Sequence, residues 1–360
     1  MFYKLFLLSM CLINIMLING FSIVNNLMLD RLPFVMRKNI ITKTKSNTSI
    51  GVMNLQKVDN YITFDNKIFN KWKAYTKLLR IQNCMPTLLL NFLSGWITIP
   101  SYKLFLNRYF WVFSLITQLT MMNSMVVNDL FDLKIDLINN KNRPLVTKEI
   151  TIKEAKCFYI STNIVIAMLS LLFFKEKNFY LNIFMLNIIL FLYTPYLKKI
   201  IIVKNITCAF TVASTILLTS KSILLNKPLY ILNNISSNQL INFTSRFLFL
   251  SSLYIELLLD IKDLKGDKEN NVITVPNYFG VHKTLDFLIV FFMGNLIYYT
   301  TIFCKQNNYK LFFGFIFSNA HFLRNLISLR CKSYSEKDIL NSVNDTTISL
   351  IIFILFILQK

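Results

Sequence analysis

The stretch that decides the fold is residues 128–136, Asn-Asp-Leu-Phe-Asp-Leu-Lys-Ile-Asp, which follows an apolar run over residues 109–127. Its carboxylates, Asp129, Asp132 and Asp136, have the spacing i, i+3 and i+7. On a helix this spacing places them on one face, within roughly a 60° arc. Carboxylates at the end of a membrane-length helix are costly and mark a functional site.

The same spacing returns 131 positions later at Asp260, Asp263 and Asp267, again after an apolar run. At the same offset, Leu133-Lys134 recurs as Leu264-Lys265. Chance seldom matches three spacings twice, so the repeat weighs against the alternative of two solvated helix ends. We predict an internal duplication in which each half of the chain contributes one acidic triad.

The composition indicates a membrane protein. The chain has 360 residues, of which 54% are hydrophobic, and its formal net charge is +21. The mean hydropathy is +0.49. An apolar bulk with basic ends and loops is typical of an integral membrane protein and argues against a nucleic-acid binder.

Nine apolar segments are long enough to be candidate membrane spans. They cover approximately residues 84–101, 109–127, 157–174, 179–197, 205–223, 242–259, 285–304, 311–328 and 343–359. We therefore predict an all-α polytopic membrane protein of about nine transmembrane helices. Lysine and arginine concentrate in the even-numbered loops and before the first segment, so the positive-inside rule puts both acidic motifs on one side of the bilayer.

The N-terminal region has the composition of a targeting leader. Residues 1–20 combine a short basic start with a brief apolar run, as in a signal peptide. Residues 21–65 begin with Phe21 and are rich in basic and hydroxylated side chains, as in a transit segment that is removed or disordered. Together they resemble the bipartite leaders of algal plastids. The alternatives are a secretory signal or an N-terminal anchor, with the chain in another organelle or the cell membrane; residues 70–360 form the remaining domain.

The acidic motifs favour a hard divalent cation. Six carboxylates that face one another repel strongly unless positive charge lies between them. Neither motif contains His or Cys, and oxygen ligands favour Mg²⁺ or Mn²⁺ over Zn²⁺. Because Mg²⁺ prefers a few carboxylates together with phosphate oxygens, two triads suit metal ions that hold a diphosphate.

Polar and basic residues near the motifs are candidates for contacts with phosphate oxygens. The alternative for each basic residue is a charge that only sets membrane orientation. The candidates are Asn128, Lys134, Arg143, Lys148, Lys198 and Lys265.

Several motifs carry a family resemblance. Residues 128–136, followed by Asn142-Arg143-Pro144-Leu145, resemble the first signature of the UbiA superfamily of intramembrane prenyltransferases. Residues 260–280 resemble its second signature, and Tyr193 with Lys198 resembles its Tyr-x4-Lys element. The resemblance covers roughly residues 75–360.

The resemblance implies a horseshoe of helices around a central cavity in the bilayer. It implies Mg²⁺-dependent transfer of a prenyl chain from a prenyl diphosphate to a lipophilic or aromatic acceptor. The catalytic and metal-binding residues it implies are Asp129, Asp132, Asp136, Asp260, Asp263 and Asp267. The substrate-binding residues are Arg80, Asn83, Tyr193 and Asn205. The chain's 33 phenylalanines suit a tunnel for the isoprenoid tail.

The sequence leaves several classes of prenyl acceptor open. A plastid location favours an aromatic precursor of quinones or tocopherol, of the homogentisate or 4-hydroxybenzoate type. The alternatives are a chlorophyll synthase-like activity or a glycerol-phosphate ether transferase, a branch that Arg80-x-x-Asn83 and Lys204-Asn205 resemble. Two other classes are a cation or phosphate transporter and a terpene cyclase; clustering of the triads on one side argues against transport.

Overall fold

The computed structural model describes residues 69–225, 235–269, 273–331 and 335–358. The predicted leader, residues 1–65, lies outside these ranges. Every regular element within them is helical, so the all-α fold class is confirmed.

Nine long helices dominate the described residues, and each overlaps with one of the nine apolar segments. They are α1 Cys84–Thr98, α2 Arg108–Phe131, α3 Ile152–Phe173, α4 Lys177–Tyr193, α5 Val203–Leu224, α6 Ile235–Lys262, α7 Val281–Lys305, α8 Tyr309–Cys331 and α9 Glu336–Leu358. A short helix over residues 69–78 precedes them. Most helices extend past their predicted segments, because hydropathy marks only the apolar part of a helix whose backbone hydrogen bonds continue into polar residues.

Four of these helices, α2, α3, α5 and α7, are long and apolar enough to cross a membrane, and α4 is apolar but shorter. Several apolar helices of this kind agree with a multi-pass membrane protein. The number of spans, nine, stays a prediction.

The central helix is α5, which packs against α1, α2 and α6. Small and hydroxylated side chains let its backbone approach its neighbours closely. Ser94 of α1 donates a hydrogen bond to the carbonyl of Ile216 at 2.6 Å, and Ser245 of α6 donates to that of Ala213 at 3.1 Å. These contacts fix α1 and α6 on either side of α5, where the functional site forms.

Phenylalanines fill the interior of the C-terminal helices. The ring centroid of Phe243 on α6 lies 4.8 Å from that of Tyr299 and 5.0 Å from that of Phe303, both on α7. It also lies 5.6 Å from the ring of Phe353, which is completely buried in α9. Edge-to-face contacts of this kind stabilise packing beyond the burial of area.

The packing of α8 on α9 depends on Gly314. A Cβ atom at this position would lie 2.6 Å from Cγ of Phe356. We expect Gly314→Ala to lower the free energy of unfolding by about 1–3 kcal/mol, because the α9 ring must move away. Thermal or denaturant unfolding in detergent micelles measures the change.

The matched control is Gly294→Ala within α7, where a Cβ atom would meet no heavy atom within 4 Å. Alanine is a better helix former than glycine, so this variant should gain up to about 1 kcal/mol. Equal effects of the two substitutions would contradict the close packing of α8 on α9.

Candidate active site

Both acidic motifs bend their helix at the middle aspartate. α2 ends just before Asp132, and a short helix, Leu133–Asn139, follows it. α6 and the short helix Leu264–Glu269 meet in the same way at Asp263. The N–H of Asp136 still donates to the Asp132 carbonyl at 2.8 Å, so the chain bends without losing this hydrogen bond. Each triad thus lies across the junction of a long and a short helix, and the placement of its three carboxylates on one helix face stays a prediction.

Basic side chains from distant segments neutralise the first motif. Asp129 is 2% exposed and accepts hydrogen bonds from Arg80 Nη2 at 3.0 Å and from Arg143 Nη1 on the same oxygen. Asp132 Oδ2 accepts from Lys198 Nζ at 2.6 Å. The predicted diphosphate-binding residues Arg143 and Lys198 therefore form ion pairs with aspartates of the first motif.

The second motif is held by the first turn of α5. Asp260 is 3% exposed, and its two oxygens accept from Lys204 Nζ at 2.5 Å and Asn205 Nδ2 at 2.8 Å. The side chain of Asp263 is 60% exposed, and Lys262 Nζ lies 3.6 Å from it. Asp260, like its counterpart Asp129, is buried and accepts hydrogen bonds from two side chains, whereas Asp263 is exposed to solvent.

Two residues at the site have a positive φ angle. One is the basic residue Arg80 itself, and the other is Ile202, two residues before Lys204. Arg80 has φ 47° at the start of a short 3₁₀ turn, Ile81–Asn83. Ile202 has φ 69° directly before α5, which carries Lys204. A β-branched residue in this region is strained, and such strain persists only where the surrounding contacts enforce it. The ion pairs of Arg80 and Lys204 supply contacts of this kind.

Lys198 connects the two motifs. It forms the ion pair with Asp132, and its positive charge also acts on Asp267 of the second motif. Burial raises the pKa of the Asp267 carboxyl, and the charges of Lys204 and Lys198 oppose that rise. The structure therefore brings the two motifs to the same end of the bundle, within electrostatic reach of each other.

A metal cluster of six carboxylates is not preformed. Within the described ranges, no three acidic, His or Cys side chains are close enough together to hold a metal ion. Two buried oxygens, Asp136 Oδ2 and Asp267 Oδ2, accept no hydrogen bond from the described residues, although Arg143 Nε lies 3.6 Å from Asp136 Oδ2. They occupy the third position of each motif, and hard oxygen donors of this kind fit Mg²⁺. The residues present are therefore compatible with the predicted cation.

A cavity of about 580 Å³ lies inside the bundle beside the motifs, between residues of α1, α2, α4, α5 and α6. Four predicted residues line it: Arg80, Asn83, Asn128 and Tyr193. Phe113 is the one phenylalanine among its described lining residues. The expectation of a phenylalanine-rich tunnel is wrong for this cavity, because the phenylalanine rings pack between helices instead.

Hydroxyl groups line part of the cavity, whose wall is otherwise mostly apolar. Its eight serine and threonine residues are Thr87, Thr117, Thr120, Ser124, Thr207, Thr211, Thr215 and Ser252. Several of these hydroxyls donate to a carbonyl of their own helix, as Thr207 does to Val203 at 2.7 Å and Thr215 does to Thr211 at 3.0 Å. Their remaining lone pairs can then accept hydrogen bonds from a ligand.

Three other predicted site residues are not among the described residues that line this cavity. Asn205 donates a hydrogen bond to Asp260 and is not among the described lining residues of the cavity. The side chain of Lys134 is exposed. The side chain of Lys265 lies outside the described part of the structure. Their roles in substrate and phosphate binding stay predictions.

Glu256, which lines the cavity four residues before Asp260, was not predicted as a site residue. A signal for it was available, because Glu256 is an acid within the apolar segment 242–259, and acids at membrane depth are rare without a function. The ion pair of Lys204 with Asp260 was not predicted either, because a lysine before a helix is equally typical of a charge that sets membrane orientation.

Comparisons with known proteins agree with this geometry. A sequence model of the UbiA prenyltransferase family matches residues 85–351. The digeranylgeranylglyceryl phosphate synthase of Methanococcus aeolicus is 28% identical over 218 residues, which cover 58% of this chain and 70% of that protein. The synthase of the same name from Sulfurisphaera tokodaii is 27% identical over 241 residues, covering 63% of this chain and 81% of that protein.

Solved structures share the fold. A structure described as concerning digeranylgeranylglyceryl phosphate synthase in membranes aligns with a TM-score of 0.62 at 21% identity, covering 81% of this chain and 99% of that one. A UbiA homologue from Archaeoglobus fulgidus, bound to DMAPP and Mg²⁺, aligns with a TM-score of 0.53 at 19% identity, covering 79% and 97%. At these identities the likeness shows a common helical architecture.

Proposed function

Because this chain belongs to the UbiA prenyltransferase family, and is therefore an enzyme that transfers prenyl groups, we propose that its acceptor is a glyceryl phosphate ether. The donor in this proposal is an allylic prenyl diphosphate, and the nucleophile is a free hydroxyl of the glycerol. Mg²⁺ is the cofactor. This acceptor replaces the aromatic quinone or tocopherol precursor as the favoured one.

The names of the relatives support this acceptor class. Digeranylgeranylglyceryl phosphate carries two geranylgeranyl groups on one glyceryl phosphate. An enzyme that adds the second group takes a glyceryl phosphate that already bears the first. The relatives are archaeal, which gives no support to a plastid location. The plastid location and the leader at residues 1–65 stay predictions.

The observation that carries the proposal is the hydroxyl lining of the cavity. A small aromatic acceptor is typically held by stacking on aromatic faces, and Phe113 and Tyr193 are the aromatic residues among the described lining. Eight serine and threonine oxygens are suited instead to a polyol that donates hydrogen bonds. The cavity composition therefore favours glycerol over an aromatic ring.

The basic residues beside the acidic motifs suit two anionic substrates. Arg80, Arg143, Lys198 and Lys204 supply guanidinium and ammonium groups that bind phosphate oxygens. When bound by the aspartates of both motifs, Mg²⁺ neutralises the diphosphate and makes it a better leaving group. Deeper apolar side chains, among them Leu90, Ile116 and Leu186, exclude water that would capture the allylic cation.

The test is an acceptor panel with the full chain in native membranes. Labelled geranylgeranyl diphosphate and Mg²⁺ are supplied with geranylgeranylglyceryl phosphate, homogentisate, 4-hydroxybenzoate or chlorophyllide, and the product is identified by mass. We expect kcat/KM for the glyceryl phosphate ether to exceed that for each other acceptor by at least about 100-fold, because buried polar groups reject a ligand that leaves them unpaired.

The matched control is a glyceryl ether with the same chain but without the phosphate. It should be a much poorer acceptor if the basic residues bind that phosphate. Preferred prenylation of any aromatic acceptor in the panel would overturn the proposed acceptor class while leaving the family assignment intact.

A further inference from the structure

Glu256 is a carboxylate inside the cavity that belongs to neither acidic motif. It lies on α6, four residues before Asp260, which places it about 6 Å deeper along the helix axis. Its side chain is partly buried and lines the cavity. Its carboxylate forms no ion pair with any basic side chain that the structure describes. It is therefore held in place without a direct counter-charge.

The surroundings of Glu256 come from three helices. Cys208 of α5 lies against it, and Cys208 Sγ donates to Tyr193 Oη of α4 at 3.2 Å. Lys204 and Asp260 are the charged groups that act on it. The Cys208 thiol also hydrogen-bonds the Glu256 carboxylate. Keeping a carboxylate without an ion-pair partner at this depth costs free energy, and such residues are retained for function.

Formation of an ether releases a proton that must be accepted within the cavity. The aspartates Asp129, Asp132 and Asp260 are each occupied by a basic side chain at 3.0 Å or less. Lysine and arginine near the motifs are already protonated and cannot serve. Glu256 is the carboxylate that faces the hydroxyl-lined wall without a basic partner among the described residues.

We propose that Glu256 is the catalytic base that accepts the proton of the acceptor hydroxyl. This role rests on the proposed glyceryl phosphate acceptor. The bond from C1 of the prenyl chain to the diphosphate oxygen breaks first and leaves its electron pair on that oxygen, and the acceptor oxygen then forms a bond to the allylic cation at C1. The hydroxyl proton moves to the Glu256 carboxylate, and diphosphate leaves with the negative charge. The hydroxyls of Thr211 and Ser252 lie in the same cavity wall and can orient the glycerol.

The experiment is Glu256→Gln in the full chain, with both products measured in one assay. An amide keeps the size of the side chain and its hydrogen-bonding oxygen but takes no proton. We expect ether formation to fall about 100-fold, as is typical for loss of a general base. The moles of ether formed per mole of diphosphate released should fall at least tenfold, because the activated chain is lost to water or to elimination.

The ratio separates a chemical role from a structural one, since misfolded protein lowers both products equally. Glu256→Asp keeps a carboxylate and should hold the ratio nearer to the wild-type value than Glu256→Gln does. The charge-matched control is Glu176→Gln before α4, where the carboxylate pairs with Lys221 at 2.7 Å outside this cavity; rate and ratio should not change.

Two different results are decisive against the inference. A Glu256→Gln enzyme with the wild-type ratio, whatever its rate, removes Glu256 from proton transfer and leaves the acceptor proposal standing. A wild-type enzyme that prenylates an aromatic acceptor but no glyceryl phosphate ether overturns the acceptor proposal, and the role of Glu256 with it.

Discussion

Replacing Asp132 or Asp263 by alanine is expected to reduce prenyl transfer about a thousandfold or more while the protein stays folded and inserted. Each is the middle aspartate of its motif, at the junction of a long and a short helix. The barrier falls chiefly through neutralisation of diphosphate charge, and losing about 4 kcal/mol of that effect costs a factor of a thousand.

Folding should survive both changes. The Asp263 side chain is 60% exposed, and the partner of Asp132, Lys198, is 36% exposed and can turn to water. The measurement is initial rate in membranes with protein level fixed by immunoblot. The control is Asp286→Ala at the start of α7, whose carboxylate pairs with Arg330 at 2.5 Å and is 50% exposed. Near wild-type turnover in either motif variant would remove that aspartate from the site.

The second large effect is expected from Lys204→Met, which leaves Asp260 buried with Asn205 as its one remaining hydrogen-bond partner among the described residues. Removing one member of a buried ion pair costs about 3–5 kcal/mol, because the other charge stays buried without compensation. We expect a drop of this size in the free energy of unfolding in detergent, together with loss of activity. The matched control is Lys221→Met, since the pair of Lys221 with Glu176 is 38% and 39% exposed and is worth at most about 1 kcal/mol.

A double variant tests the cause of that loss. Adding Asp260→Asn to Lys204→Met removes the uncompensated charge, so most of the stability should return. Activity should not return, because the aspartate itself is needed. If the double variant is as unstable as Lys204→Met, packing of the lysine stem and not charge accounts for the effect.

Much of the fold followed from the sequence because apolar segments report helices directly. Each of the nine predicted segments coincides with a long helix, for example 205–223 with Val203–Leu224. The bends at Asp132 and Asp263 were not predictable, because neither residue stands beside a Gly or Pro that would break a helix. At Asp132 the bend accompanies a tertiary contact with Lys198, 66 positions away.

The residues of the candidate site were proposed from the sequence and stay a prediction, whereas their pairing could not be predicted from it. Both acidic triads and the basic candidates Arg143 and Lys198 were identified from spacing and resemblance. Arg80 was expected on a substrate, yet in this structure its guanidinium binds Asp129. Local patterns report which residue types share a helix face; they do not report which distant side chain neutralises which carboxylate, because that depends on how the helices pack.

The repeated motifs differ in their counter-ions, and this difference gives the site a direction. Asp129 meets two forked guanidinium groups, from Arg80 and Arg143, whereas Asp260 meets one ammonium group and a neutral amide. Two identical half-sites would receive a diphosphate equally well either way round, with its carbon chain leaving toward either side. When a diphosphate binds between the motifs as proposed, the unequal halves distinguish its two phosphates, so two motifs of identical spacing give a site with a head and a tail.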